Sequence, residues 1–324
     1  EIAQCLVGSE MCIRDSLYGI VGRCSVEFLE LQYFMAIAKH RNLTKAAQEL
    51  YVSQPTLTKF LQKLEKEMGG KVFRKNGHRY ELTFLGNRYL EYARKITTLN
   101  QDWEKELSDM RSSFEGELNI AFPPMRSTCL IPQFLPKFHE KHPGVHINFY
   151  EYSHGIQDEL LADGKLDFAI FSAWQPHPNL AYENLKTEEI LLVLQPEHSL
   201  AKKAVVRDDC RYLWLDLSLF KDHPFILHFP DQNTGRAAQQ LFEQYHIQPS
   251  VPFLTRSSQT CIQLAAKGLG ATFAPESYVS DAARLGSVLA FSVGEPPLLN
   301  NLIIAHRKNS YLSTFAVDFI NIAK

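Results

Sequence analysis

Hydrophobic residues recur every three or four positions from residue 28 to residue 68, and this spacing restricts the segment to a small helical domain. A first helix is predicted from residue 26 to residue 39, and a second, short helix has Thr44 as its N-cap. A third helix is predicted from about Gln54 to Met68. Ser53 is its N-cap, and Pro55 lies in its first turn, where a missing N–H does no harm.

A β-hairpin is predicted directly after the third helix. Gly69 and Gly70 end the helix, and two short apolar-polar runs, residues 71–74 and 79–82, flank Asn76 and Gly77. Both of these turn residues tolerate positive φ, so they favour a tight turn. Helix, turn, helix and a hairpin rich in Lys and Arg together predict a winged helix-turn-helix.

The net charge of −2 hides an asymmetry along the chain. Residues 26–95 carry 13 Lys and Arg against 7 Asp and Glu, whereas residues 96–324 carry 19 against 26. A basic block beside an acidic remainder indicates a module that binds a polyanion, such as nucleic acid, joined to a part that does not.

A long helix is predicted after the hairpin, from about Thr83. Its apolar residues follow a near-heptad seam, which consists of Leu85, Tyr89, Tyr92, Ile96, Leu99, Trp103, Leu107 and Met110. Such a seam favours pairing with the same helix of a second copy, with packing on its own domain as the alternative. Residues 112–117, which include Gly116, are interpreted as a hinge.

Beyond residue 117, strands and helices alternate, which predicts two α/β lobes with a crevice between them. The βαβ order predicts a parallel sheet with helices on both faces. We expect a DNA-binding domain over 25–83, a linker and dimerisation helix over 84–113, lobe I over 114–174 and 295–324, and lobe II over 175–294. Residues 1–24 lack a sustained period and the features of a secretory signal, and we interpret them as a disordered extension or a sequence artefact.

Several short motifs occur in a fixed order along the helical region: Leu31-Gln32-Tyr33-Phe34, residues 43–47, 50–58 and 64–69, Val72-Phe73, and Leu82-Thr83 before Gly86. In this order and at these spacings they resemble the LysR-type family of bacterial transcriptional regulators. The C-terminal part resembles the effector domain of that family more loosely, at residues 116–118, 131–132, 143–145, 164–167 and 266–270. Val72, where Leu is usual, and the placement of Arg74-Lys75 depart from the family pattern.

The resemblance implies an α+β multidomain chain with an N-terminal winged helix-turn-helix, a long linker helix and a C-terminal two-lobed α/β domain like that of periplasmic binding proteins. It implies a cytoplasmic, sequence-specific DNA-binding transcriptional regulator that forms a homodimer or homotetramer. In that family a small-molecule effector binds between the lobes, and no other cofactor is expected. The implied partners are double-stranded DNA, the effector and a second copy of the chain, with RNA polymerase as a further candidate.

The third helix carries the polar side chains that are expected to read DNA, because a helix of this width fits the major groove. Gln54 is expected to pair with adenine, and Thr56 or Thr58 to contact a thymine methyl group or a base acceptor. The complete set also contains Thr44, Ser53, Pro55, Lys59 and Lys63, with Arg74, Lys75 and Arg79 of the hairpin at phosphates or a narrow minor groove. The alternative for each Lys and Arg is a solvated surface.

The effector site is expected in the crevice between the lobes. Pro124, Met125, Arg126 and Ser127 follow the first strand, where backbone N–H groups at a helix start favour an anion. The predicted lining also includes Ser172, Phe229, Thr255, Arg256 and Ser257. Arg126 and Arg256 favour an anionic effector such as a carboxylate, with surface ion pairs as the alternative.

Other classes of protein have little support in the sequence. No run of 18 apolar residues could span a bilayer, and none of the six cysteines forms a C-x-x-C pair, although Cys129 and Cys261 leave a redox pair open. His139 and His142 lack the spacing and third ligand of a metal site, and no catalytic or nucleotide-binding motif occurs. A solute-binding receptor would explain the lobes but not the basic N-terminal module. We therefore predict neither an enzyme, nor a metal site, nor a membrane protein.

Overall fold

The computed structural model describes residues 27–77, 79–111, 115–152, 154–172, 176–284 and 286–324. The predicted extension, residues 1–24, lies outside the described residues, as do residues 112–114 of the predicted hinge. The other end of that hinge is not a hinge, because Gly116 and Glu117 begin a β-strand. The chain divides into two compact units between Asp102 and Trp103.

The first unit has the predicted helices and hairpin. Helices α1 (Phe28–His40), α2 (Leu43–Glu49) and α3 (Gln54–Glu67) are followed by strands β1 (Phe73–Asn76) and β2 (Arg79–Leu82). The helices pack around Phe34, Ile37 and Leu57, none of which is exposed to solvent. The winged helix-turn-helix is therefore confirmed as the fold of this unit.

The N-cap predicted for the second helix is wrong. The cap of α2 is Asn42, whose backbone is extended and whose side chain accepts a hydrogen bond from Lys45 N at 3.0 Å. Because α2 begins at Leu43, Thr44 is already inside the first turn and leaves the capping acceptor to Asn42. Ser53 caps α3 as predicted, since its side chain accepts from Thr56 N.

The hairpin closes one residue later than predicted. The antiparallel register runs from the Phe73–Leu82 pair to the Asn76–Arg79 pair, so Asn76 is still in the strand and the turn begins at Gly77, with φ +60°. Helix α4 (Phe84–Arg111) starts directly after β2. A Cβ at Gly86 in this helix would lie 1.9 Å from the Val72 carbonyl oxygen, so only glycine allows this approach to the hairpin.

Seven of the described strands of the second unit form one mixed sheet: β3 (Gly116–Phe122), β4 (Val145–Glu151), β5 (Phe168–Ser172), β6 (Leu180–Leu194), β9 (Thr272–Pro275), β10 (Leu289–Ser292) and β11 (Leu299–Arg307). Their order in the sheet is β10-β6-β11-β5-β3-β4, and β9 also pairs with β6. Within this sheet, the prediction of parallel strands is correct for β3, β4 and β5 only. It is wrong elsewhere because β11, which comes from the end of the chain, inserts between β5 and β6 and runs antiparallel to both.

Strand β6 runs through both lobes. Its residues 180–189 pair with β11, whereas residues 190–194 pair with β9 and β10. A separate parallel pair consists of β7 (Pro224–His228) and β8 (Ser250–Thr255). The predicted lobes are thus joined by one continuous strand, and the first residues of predicted lobe II lie beside a strand of lobe I.

The helices of the second unit pack on these strands. They are α5 (Pro124–Lys141), α6 (His154–Ala162), α7 (Asn233–Gln244), α8 (Ser258–Ala266), α9 (Glu276–Arg284) and α10 (Thr314–Ala323), with short 3₁₀ helices at Ser199–Lys203 and Leu217–Phe220. One core centres on Phe168 and Phe319, and another on Phe225 and Phe273. Among the described helices, none is both long enough and apolar enough to cross a bilayer.

Candidate functional site

The face that α3 turns outward is fixed by the residues that it buries. Leu57, Phe60, Leu61 and Leu64 belong to the core of the first unit, so the opposite face of α3 points away from it. Gln54 and Lys59 are exposed on this outward side. The structure therefore presents both side chains to solvent as the sequence predicted, on a rigid helix.

Other predicted residues of α3 are engaged locally. Thr56 lies 2.8 Å from the Ser53 hydroxyl, Oγ to Oγ, and Thr58 donates to the Gln54 carbonyl oxygen at 3.1 Å. Pro55 is exposed in the first turn. These contacts shape the start of the helix and leave Thr56 and Thr58 less hydrogen-bonding capacity for a base.

Lys63 differs from Lys59 in having a partner within the domain. Its Nζ atom lies 2.7 Å from Glu30 Oε1 on α1, and this hydrogen bond to Glu30 raises the pKa of Lys63. Lys59 forms no ion pair with any residue that the structure describes. The two lysines, equivalent in the sequence prediction, are therefore electrostatically different.

The cations of the hairpin also differ in whether they form an ion pair with a carboxylate. Arg74 Nε lies 3.0 Å from Glu81 Oε2, and hydrogen bonds from Asn76 and Arg74 lower the pKa of Glu81. Lys75 and Arg79 are exposed and form no ion pair within the described part of the chain. The uncompensated positive charge of the hairpin thus lies at Lys75 and Arg79.

Helix α4 carries the predicted seam, and its two ends differ. Leu85 and Tyr89 pack on the core of the first unit, which is the alternative that the sequence left open. Further along, Tyr92, Leu99 and Trp103 are more than half exposed. An apolar stripe therefore remains on the later turns of α4.

A cavity of about 740 Å³ lies between the lobes of the second unit. Six predicted residues line it: Pro124, Met125, Arg126, Ser172, Arg256 and Ser257. Three do not, for local reasons. Ser127 is buried and donates to Glu151, Phe229 lies beneath the Arg256 guanidinium, and Thr255 accepts from the Ser257 N–H.

The sequence prediction missed a large part of the cavity lining. The missed residues include Glu151, His228, Asp231, Gln232, Asn233, Thr234, Arg236, Ser258, Gln259, Tyr278 and Asn300. Residues 231–234 follow the carboxyl end of β7, and ligand sites of α/β sheets concentrate at such ends. That rule could have identified this segment, whereas nothing local marks Tyr278 or Asn300.

Arg126 is not an open anion-binding side chain. It is 1% exposed, its Nη2 atom lies 2.8 Å from Glu188 Oε1, and its guanidinium stacks over the Tyr278 ring at 4.5 Å. Burial opposes ionisation of Glu188, but Arg126 holds the pKa of that carboxyl below its ordinary value. The sequence left an ion pair as the alternative for Arg126, and the structure has one, although it is buried and not at the surface, since a buried charge requires a partner.

Arg256 also has a carboxylate partner. Its Nη1 atom lies 2.9 Å from Asp231 Oδ2, and both side chains are largely exposed. The ion pair that the sequence left as an alternative therefore describes Arg256. The guanidinium groups of Arg126 and Arg256 are both compensated in this way, so neither of them by itself selects an anion.

Three helices begin at the cavity wall. Residues from the first turns of α5, α7 and α8 line it, and none of these described turns contains an acidic residue. Pro123 and Gln232, which precede α5 and α7, provide no side-chain cap. The first N–H groups of a helix and its dipole favour negative charge, so these helix starts favour an anion at this wall in addition to any side-chain charge.

The wall also contains a buried histidine that is unsuited to acid–base chemistry. His228 is 4% exposed, burial lowers its pKa to about 4, and its Nε2 atom lies 3.0 Å from Ser258 Oγ. Burial raises the pKa of the neighbouring Cys261 to about 11, so this thiol is not a nucleophile near neutral pH. Within the described ranges, no three His, Cys, Asp or Glu side chains converge as a metal site requires.

Both parts of the chain match models of one protein family. Residues 28–87 match the model described as bacterial regulatory helix-turn-helix protein, lysR family, and residues 111–324 match the LysR substrate binding domain. The HTH-type transcriptional regulator YcgK of Bacillus subtilis (strain 168) is 26% identical over 303 residues, which cover 91% of this chain and 93% of that protein.

Solved structures share the fold over nearly the whole chain. A full-length OxyR variant from Pseudomonas aeruginosa has a TM-score of 0.67 at 21% identity, covering 93% of this chain and 95% of that one. Full-length CbnR complexed with its target DNA has a TM-score of 0.57 at 21% identity, covering 92% and 100%. Together the two family models account for most of the chain, including a DNA-binding domain and an effector-binding domain. The chain therefore belongs to the LysR family of DNA-binding transcriptional regulators, which are not enzymes.

Proposed function

We propose that α3 reads DNA in the major groove and that the hairpin holds the adjoining phosphates. The observation that carries this proposal is the burial of Leu57, Leu61 and Leu64, which turns Gln54 and Lys59 outward. Gln is suited to adenine, and an uncompensated Lys to phosphate or guanine. Lys75 and Arg79 supply the cations of the hairpin, whereas Lys63 and Arg74 are held by carboxylates.

The test compares Lys59→Ala and Arg79→Ala with Lys63→Ala as a matched control. A DNA duplex selected by the full-length protein from a random library is titrated at several salt concentrations. The slope of log K against log salt is negative, and loss of one phosphate contact reduces its magnitude by about 0.9. We expect that decrease for Lys59→Ala and Arg79→Ala and a smaller one for Lys63→Ala. Unchanged slopes for the first two variants would refute their phosphate contacts.

We further propose that the cavity binds a small-molecule effector with an anionic group. The support for an anion comes from the three helix starts at the wall, whose first turns contain no acidic residue, since Arg126 and Arg256 already have carboxylate partners. The anionic group is expected near the starts of α7 and α8, where residues 232–234 and 257–259 line the cavity.

A panel of organic acids, titrated calorimetrically into the full-length protein, tests this proposal. Gln259→Glu places a carboxylate in the first turn of α8, where it competes with a bound anion. Gln263→Glu is the matched control, because it is one turn further along the same helix and outside the lining. We expect Gln259→Glu to weaken the binding of any acid that binds. Equal affinities in both variants, or heat only with uncharged ligands, would refute the anionic site.

The oligomeric state, the cellular location, the role of RNA polymerase and the domain bounds are further proposals. The exposed stripe of α4, formed by Tyr92, Leu99 and Trp103, supports pairing with a second copy, as a homodimer or within a homotetramer. DNA as the partner supports a cytoplasmic location, with RNA polymerase as a further candidate partner. The predicted domain bounds, with lobe I over 114–174 and 295–324 and lobe II over 175–294, remain a working division of the effector unit.

A further inference from the structure

A buried network of charged and polar side chains connects the two lobes at the point where β6 passes from one to the other. Glu188 on β6 is the residue opposite Asn300 of β11, and two positions later Ile190 pairs with Pro275 of β9. Arg126 reaches Glu188 from α5 of lobe I, and Ser277 reaches it from α9 of lobe II. The carboxylate of Glu188 thus lies at the crossing with partners on both sides.

The contacts of this network are short and shielded from water. The side chains of Arg126 and Glu188 are 2% and 0% exposed. Arg126 Nη1 donates to Ser277 Oγ at 2.6 Å, and Ser277 Oγ donates to Glu188 Oε2 at 2.6 Å. Asn300 Nδ2 donates to Glu188 Oε1 at 2.9 Å and to Ser172 Oγ at 2.8 Å. A movement that separates α9 of lobe II from α5 and β6 would therefore break these charge-assisted hydrogen bonds.

Three side chains of this network, those of Arg126, Ser172 and Asn300, form part of the cavity wall. Tyr278 also lines the cavity, and it directly follows Ser277 on α9. A ligand in the cavity therefore touches the groups that hold the lobes together. A ligand shifts an equilibrium only by binding its two states differently, and contact with these groups provides such a difference.

We propose that Arg126, Glu188 and Ser277 form an interlobe latch through which occupancy of the cavity acts on DNA binding. This inference rests on the proposed function, because it assigns the regulation of the same effector site. Glu188 acts as a positioning residue, since it holds the Arg126 guanidinium across the lobe boundary and is absent from the cavity lining. Releasing the latch should change the affinity for DNA even without an effector.

The test uses the full-length protein, without ligand, and the DNA duplex selected from the random library. Arg126→Met combined with Glu188→Gln removes both charges together, which proteins often tolerate. The Gln oxygen can still accept from Asn300, while its NH2 group can donate to the Ser277 hydroxyl oxygen. The matched control, Arg211→Met with Glu276→Gln, makes the same changes in an ion pair at 3.1 Å that lies within lobe II and involves the same helix α9. Ser277→Ala is an independent variant that retains the ion pair and removes the hydrogen bonds of the Ser277 hydroxyl to Arg126 and Glu188, while the backbone N–H of residue 277 can still donate to Glu188.

We expect the double latch variant and Ser277→Ala to change the affinity for DNA by about fivefold or more, the range of allosteric coupling, and the control pair to leave it unchanged. Circular dichroism and thermal unfolding establish whether each variant is folded. If the double variant does not fold, Ser277→Ala alone tests the latch. A folded latch variant within fivefold of wild type, or an equal change in the control pair, would overturn the latch. Failure of the wild-type protein to select any duplex would instead overturn the proposed function.

Discussion

Ser53 has two separable roles at the start of α3, and one substitution series distinguishes them. Its hydroxyl accepts from Thr56 N at 3.3 Å, and it lies at the helix end that is proposed to meet DNA. Ser53→Ala removes this acceptor, which costs about 1 kcal/mol of helix stability. Since each 1.4 kcal/mol is a factor of ten, the amides of α3 should exchange about fivefold faster. Ser53→Asp keeps the acceptor and adds a negative charge that the helix dipole favours.

The assay is amide hydrogen exchange of residues 54–67 in the full-length protein, combined with titration of the selected duplex. For Ser53→Ala we expect faster exchange in α3, with no comparable change in the second unit. For Ser53→Asp we expect exchange as slow as in wild type but weaker DNA binding, because the new carboxylate is repelled by phosphates. Unchanged exchange in Ser53→Ala would refute the cap. Wild-type affinity in Ser53→Asp would show that this helix end does not face the DNA backbone.

Three further predictions follow from burial, close packing and exposure. Burial lowers the pKa of His228 to about 4, so its contribution to the free energy of unfolding is fully present above pH 6.5 and falls by about 3 kcal/mol as the pH drops towards 4. The free energy of unfolding measured in urea should therefore decrease less for His228→Gln than for wild type between pH 6.5 and pH 4. Gly86→Ala should lower the stability by about 1–3 kcal/mol in thermal unfolding, because its Cβ meets the Val72 carbonyl, and a stability gain would contradict that contact. Leu99→Asp should shift the full-length protein towards smaller species in sedimentation velocity, whereas Ser108→Asp, exposed on the same helix, should not.

The elements of the first unit were predictable because local signals determine them. Ser53 with Pro55 marks the start of α3, and Gly77 marks the hairpin turn, so both elements appear where the sequence places them. The errors are shifts of one or two residues: the hairpin turn begins one residue later than predicted, and the α2 cap is Asn42, two residues before Thr44. Periodicity and capping are local interactions, and a single sequence contains them in full.

The second unit was less predictable because long-range pairing determines it. The insertion of β11 between β5 and β6 joins residues more than a hundred positions apart, and no local pattern encodes its direction. Likewise, Arg126 looked like an anion-binding residue because the sequence shows the arginine without Glu188 and Ser277. A charge is visible in a sequence, but the partner that compensates it is defined only by the fold.

The part of β6 that passes from one lobe to the other shows why the sequence could not predict the contacts of the candidate site. Glu188 and Glu189 follow each other on β6, which starts at Leu180. Both carboxylates are buried, at 1% and 3% exposure, and they point to opposite faces because side chains alternate along a strand. Glu188 binds Arg126 and Ser277, whereas Glu189 accepts from the Ser292 hydroxyl and from the Arg211 N–H within lobe II. Buried carboxylates must have partners, so a strand that carries two of them requires polar groups to meet them inside the fold. The partners of Glu188 come from both lobes, so this buried charge, which is unusual within a strand, lies where the two lobes are joined.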